Sequence, residues 1–120
     1  MSVSEGFAAH LKECLAGLGP VEIKRMFGGG GVYADGIMFG LIADDVLFLK
    51  ADDTSKPAFE AENLGPFVYS GKGKPITMSY WRTPERLMDD PDEMTVWART
   101  ALAVARRAAK PGPKGARSRE

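Results

Sequence analysis

Residues 26–50 read MFGGGGVYADGIMFGLIADDVLFLK, and the reading of this stretch decides the fold. Ala34-Asp35-Gly36 separates Gly31-Val32-Tyr33 from Ile37–Ile42, and Asp44-Asp45 separates that run from Val46–Lys50. Asp-Gly is a strong hairpin signal because a type I′ turn needs positive φ, which glycine adopts without a Cβ penalty. The stretch therefore predicts a three- or four-stranded antiparallel meander. Its glycine run, Gly28–Gly31, invites comparison with a phosphate-cradling loop. A Walker loop needs Gly-Lys-Ser/Thr opening a helix, and a dinucleotide fingerprint needs a helix after its last glycine. Here Val32 and Tyr33 open a strand instead. The glycines are thus expected at a bulge or tight bend where two backbones approach.

Upstream, Val21–Phe27 alternates well enough for a strand with one polar face. Ser2 and Glu5 form a capping-box pattern before Phe7, Leu11, Leu15 and Leu18, which recur at helical spacing until Gly17–Pro20. Downstream, Asp53 or Thr54 is placed to cap a short helix running through Leu64 and stopped by Gly65-Pro66. Phe67–Tyr69 and Ile76–Trp81 form a second hairpin. Thr83-Pro84-Glu85 and Asp90-Pro91-Asp92-Glu93 each set a capping side chain before a proline, and the second opens the longest helix. Met94, Trp97, Ala101, Leu102 and Ala105 should face the sheet. The prediction is a two-layer α+β domain over residues 1–110, an antiparallel sheet of hairpins packed by an N-terminal helix, a short middle helix and a long C-terminal helix. Residues 111–120 are expected to be a flexible basic tail.

The 120 residues are 44% hydrophobic and 27% charged, an ordinary globular composition for one domain. No run approaches the ~20 apolar residues of a bilayer helix, and Met1–Phe7 lacks signal-peptide regions, so no membrane association and a cytoplasmic location are expected. Cys14, the sole cysteine, excludes an internal disulfide. The formal net charge is zero but unevenly distributed: residues 1–105 hold ten basic and fifteen acidic side chains. Arg106, Arg107, Lys110, Lys114, Arg117 and Arg119 then oppose only Glu120. The body is acidic and repels a phosphate backbone, whereas the helix end and tail form a candidate nucleic-acid contact.

His10 and Cys14, four apart on one helix, lack the further His or Cys ligands of a structural zinc site and have no orienting partner for nucleophilic chemistry. The pairs Asp44-Asp45, Asp52-Asp53 and Asp89-Asp90 sit at turns and caps, where local hydrogen bonding explains them. No catalytic residue, cofactor or metal is expected. Cations and aromatics do gather between Tyr69 and Arg82. Alternation puts Ile76, Met78 and Tyr80 on one face and Trp81 on the other, so Trp81 is expected to be exposed beside Lys72, Lys74 and Arg82. These four form a candidate contact surface, and Arg25 and Lys50, with Lys72, are candidate anion contacts for a small ligand or nucleotide.

Arg25-Met26-Phe27-Gly28-Gly29, Gly31, Tyr33, Asp35-Gly36, Met38-Phe39, Leu41–Asp45, Leu49–Asp52, Pro66-Phe67, Tyr69, Met78-Ser79-Tyr80, Pro84 and Trp97-Ala98 together resemble the N-terminal domain of the TfoX/Sxy competence regulators. The resemblance covers about residues 7–109. It implies an α+β fold similar to the secretion-chaperone-like fold and a non-enzymatic regulatory role. Fuller members assist transcription of DNA-uptake genes together with the cyclic-AMP receptor protein, and they carry a second, helical domain. This chain is expected to act as a stand-alone domain with a protein partner, the transcription machinery among the candidates. Gly30 stands where many relatives carry an aromatic. Edge strands of such a sheet also leave a homodimer open.

Overall fold

The computed structural model describes residues 3–26, 28–69 and 73–109. Its elements follow the order α1 (Glu5–Cys14), β1 (Glu22–Met26), β2 (Gly29–Ala34), β3 (Ile37–Ala43), β4 (Val46–Lys50), α2 (Lys56–Glu60), β5 (Pro66–Tyr69), β6 (Ile76–Arg82) and α3 (Pro91–Ala109). Short 3-10 turns at Ala16–Leu18 and Glu85–Asp89 complete the chain. The meander and the second hairpin join into one six-stranded antiparallel sheet of order β1-β2-β3-β4-β6-β5. The α+β, two-layer reading of the sequence is therefore the observed architecture. No helix among the described residues is long and apolar enough to cross a membrane.

Both predicted turns have two central residues at positive φ: Asp35 at 53° with Gly36 at 76°, and Asp44 at 52° with Asp45 at 57°. With Ala34 paired to Ile37 and Ala43 paired to Val46, each is a two-residue type I′ hairpin whose twist matches the strands it joins. Between β2 and β3 the register slips, so that Val32 faces Gly40 while Tyr33 faces Met38. Phe39 is the unpaired residue of this bulge, and it is fully buried in the core.

Helix α3 lies across β3 and β4, and α1 packs against α3 and the Glu85–Asp89 turn. Leu11, Leu15, Val32, Phe39, Ile42, Leu49, Leu87, Met94 and Ala98 are fully buried between these layers. The predicted face of α3 is correct for Met94, Ala101, Leu102 and Ala105, with Trp97 half-buried. Trp97 packs edge-on to Phe59, and Phe59 in turn meets Trp81. His10 and Cys14 converge on one acceptor: Nε2–H of the histidine donates to the Met88 carbonyl at 2.7 Å and the thiol donates to it at 3.1 Å. Burial, then the Asp89 and Glu13 carboxylates, push the Cys14 thiol pKa up and keep it a donor. The pair thus ties α1 to the turn beneath it.

Several local signals resolve differently from the sequence reading. The N-cap of α1 is Ser4, whose hydroxyl accepts from the Phe7 N–H; Ser2 lies outside the described residues. Neither Asp53 nor Thr54 caps α2. Asp52 organises that loop by accepting from the backbone of Thr54 and Ser55 and from the Thr54 hydroxyl. The short helix ends in a Schellman motif at Asn63, φ 62°, with Leu64 N–H donating to the Phe59 carbonyl, so Gly65-Pro66 merely follows the stop. Asp90 does cap α3, accepting from Glu93 N–H at 3.1 Å. Thr83 caps nothing: its hydroxyl is buried without a partner among the described residues. The tail, 111–120, lies outside them.

The glycine run is explained by two contacts. Gly28, φ 78°, makes the β1–β2 turn, and a Cβ on Gly29 would run into the Ile42 carbonyl oxygen of β3. Gly30 faces the helical side, where Val3 fills the space beside it. We predict that Gly29→Ala costs about 2–3 kcal/mol, because the obstacle is backbone and cannot rotate away. Gly6→Ala, in α1 with open space around its Cβ, should stabilise by about 0.5–1 kcal/mol. Urea denaturation of both variants checks the contrast.

Candidate functional site: the uncovered sheet face

Residues paired across an antiparallel ladder point to the same face, so the register assigns every side chain. Leu49 is in the core and pairs with Trp81, while Lys50 pairs with Tyr80 and Phe48 with Arg82. Lys24, Met26, Tyr33, Met38, Leu41, Phe48, Phe67, Met78 and Tyr80 therefore lie on the face opposite the helices. All of these but Lys24 are partly buried, and Tyr69 and Ile76 at its margin are 48% and 55% exposed. Uninterrupted apolar runs such as Val46-Leu47-Phe48-Leu49 signal strands apolar on both faces. One face is covered by helices; among the described residues no element covers the other.

Glycine shapes this open face. Where Gly31 lacks a Cβ, Met26 Cε, Tyr33 Cε1 and Met38 Sδ close over the backbone, about 3 Å from where that atom would sit. A cavity of about 370 Å³ lies nearby, lined by Met26, Gly28, Gly29, Leu41, Ile42, Ala43, Phe67, Tyr69 and Met78. Phe48 and Phe67 pack edge-to-face at 5.0 Å. Lys24 Nζ sits 4.9 Å from the Tyr33 ring centroid, and Lys50 Nζ sits 5.0 Å from that of Tyr80, both in cation–π range. The Tyr80 hydroxyl donates to the Met38 carbonyl at 3.4 Å. Burial, then Tyr33, raise the Tyr80 pKa, so the phenol stays neutral.

A second cavity, about 620 Å³, opens between α1, the β3–β4 turn and the Glu85–Asp89 turn. Phe7, His10, Asp45, Arg82, Thr83 and Asp89 are among its lining residues. Its charges are mixed. Asp45 is engaged by Ser4 N–H at 2.8 Å, and Arg86 by Glu62 and Glu93.

The sequence-derived candidates distribute unevenly over this geometry. Trp81 is a correction: it is 8% exposed and belongs to the core, on the face of Leu49. Alternation inverted its side because Ile76, Met78 and Tyr80 are the apolar set that sits on the open face. Arg82 and Lys74 are exposed. Lys72 lies outside the described residues. Arg25 and Lys50 do not converge: they stand on β1 and β4, three strand spacings or about 14 Å apart along the sheet. Arg25 is on the helical side and donates to the Val3 carbonyl, whereas Lys50 donates to Ser79 Oγ at 2.6 Å. The two side chains thus leave the sheet on opposite faces.

The helix end is also already engaged. Arg106 pairs with Asp35 at 2.9 Å and Arg107 with Asp52 at 2.9 Å, tying α3 to the β2–β3 turn and to the loop after β4. Of the candidate nucleic-acid contacts, Arg106 and Arg107 are thus each paired with a carboxylate while staying half-exposed; Lys110, Lys114, Arg117 and Arg119 lie outside the described residues. The Thr54 hydroxyl first, then Arg107 and the Ser55 and Thr54 amides, hold the Asp52 carboxyl well below the usual carboxylate range. A depressed folded-state pKa contributes stability that is present above the unfolded value, about 3.9, and lost as pH falls through the folded one. Asp52→Asn should therefore melt below the parent chain at pH 7, and the gap should begin to narrow below about pH 4 and close only as pH falls through the folded-state value. Melting temperature against pH checks this.

Two comparisons with known proteins bear on the chain. The family model described as the TfoX N-terminal domain matches residues 13–105, well over half of the sequence. Over 76 residues the chain is 29% identical to Protein Sxy of Escherichia coli (strain K12), covering 63% of this chain and 36% of that relative. The chain thus spans about a third of the length of the curated relative it matches.

Proposed function

The chain belongs to the TfoX N-terminal domain family, a competence-regulator-like family, and from that membership we propose a non-enzymatic regulator that acts by binding protein. Its place of work is the cytoplasm, and its partner belongs to the transcription machinery, in the manner of a transcription or competence co-regulator. The observation that carries the reading is the open sheet face. A face that sets Met26, Met38 and Met78 among aromatics, away from the helices, suits binding of another surface, since methionine adapts its shape to what it meets. Arg82, opposite Phe48, borders that face, and Lys74, exposed just before β6, extends the contact, with Lys72 two residues earlier in sequence.

Two rival readings fare less well. A small-ligand or nucleotide domain drew on Arg25 and Lys50, which do not share a site. Nucleic-acid binding through the basic helix end drew partly on Arg106 and Arg107, whose charges are engaged by Asp35 and Asp52.

The test is capture of purified RNA polymerase and its activator proteins by the immobilised chain. Retention is expected, and Met78→Asp or Arg82→Glu should reduce it by about tenfold or more while the circular dichroism spectrum stays unchanged. No retention, or retention indifferent to both substitutions, would contradict the proposal.

A further inference from the structure

Charge on the open face does not follow charge on the rest of the body. Residues 1–105 carry an excess of acids, yet the strand positions facing away from the helices hold Lys24, Lys50 and Arg82 against the single acid Glu22. Lys24 and Lys50 are held against the apolar groove by the rings of Tyr33 and Tyr80. An apolar groove bordered by cations selects an occupant whose apolar residues are bordered by acids. A second copy laid face to face would bring a second cationic border, and no acidic one, to the groove. Apolar sheet faces are completed by a packed layer, and α3 already shows how an amphipathic helix completes the opposite face of this sheet.

Resting on the reading of this face as a protein-contact surface, we propose that it receives an amphipathic helix of another protein whose apolar stripe is flanked by aspartate and glutamate. The helix lies over Leu41, Phe48 and Met78, and its acids meet Lys24, Lys50 and Arg82. This is helix-in-groove recognition, with apolar contact supplying affinity and the cationic border supplying choice of partner.

The test uses two synthetic helical peptides of about 20 residues with one shared Leu/Phe stripe, flanked by Glu in one and Lys in the other. Each is titrated into the full chain carrying ¹³C-labelled methionine methyls at low salt. The Glu-flanked peptide should bind about tenfold or more tightly than its Lys-flanked twin, and added salt should weaken it. The methyls of Met26, Met38 and Met78 should shift while that of Met94, fully buried under the helices, stays in place. Lys24→Glu combined with Lys50→Glu, both substitutions at the surface, should invert the preference. Equal or tighter binding of the Lys-flanked peptide, shifts absent from the three named methyls, or no binding of the Glu-flanked peptide to the folded chain would each overturn the proposal.

Its fate is separable from that of the functional reading. If Met78→Asp abolishes polymerase or activator capture but the Glu-flanked peptide does not bind, the face is a contact surface and the acidic helix is wrong. If the peptide binds as expected while capture ignores Met78→Asp, the docking proposal stands and the transcription partner is wrong.

Discussion

A sheet apolar on both sides but covered, among the described residues, by helices on only one is the constraint from which the rest of this structure follows. The register fixes which side is which. Leu49 and Trp81 pair across β4 and β6 and turn into the helical layer, and that pairing commits Phe48, Tyr80 and Met78 to the other side. A one-residue slip in β6 would exchange every side chain between the two faces. The aromatic sequence Phe59, Trp81, Trp97 opposes such a slip, since it anchors β6 to both α2 and α3. The identity of the open face is therefore a consequence of packing on the hidden one.

The glycines belong to the same logic. Gly29 lets β2 approach the Ile42 carbonyl, and Gly31 leaves room for Met26, Tyr33 and Met38 to close over the strand. One side chain at the first position would push two strands apart; one at the second would crowd the groove. What looks in the sequence like a phosphate-binding run is a device for bringing backbone close to backbone on one strand and for shaping an apolar surface on the same strand. Charge then adjusts the surface. Lysines lean on tyrosine rings at the open face, whereas the arginines at the end of α3 are drawn to Asp35 and Asp52 on the rim.

Much of the fold was legible because its signals are local. Asp35-Gly36 and Asp44-Asp45 announce two-residue turns through the backbone angles they tolerate, and Asp90-Pro91 announces a helix start through a carboxylate and a fixed φ. What was not legible depends on partners distant in sequence. Alternation along β6 orders its residues into two sets but cannot say which set meets the helices when both include apolar side chains, and so Trp81 was placed on the wrong side. Arg106 and Arg107 are indistinguishable in sequence from free tail cations; only the fold brings Asp35 and Asp52 to them. The stop at Asn63 was missed because asparagine in the left-handed region competes with the more conspicuous Gly65-Pro66. The candidate face itself had a signal, the unbroken apolar runs of β3 and β4, which imply burial on two sides where the helices supply only one.

Solvent paramagnetic relaxation of the methionine methyls in the free chain reports whether the apolar sheet face is open to other molecules. Strong relaxation is expected at Met26, Met38 and Met78 and little at Met94, which is fully buried. Relaxation at those three as weak as at Met94 would mean that the face is closed and offers no surface to a partner.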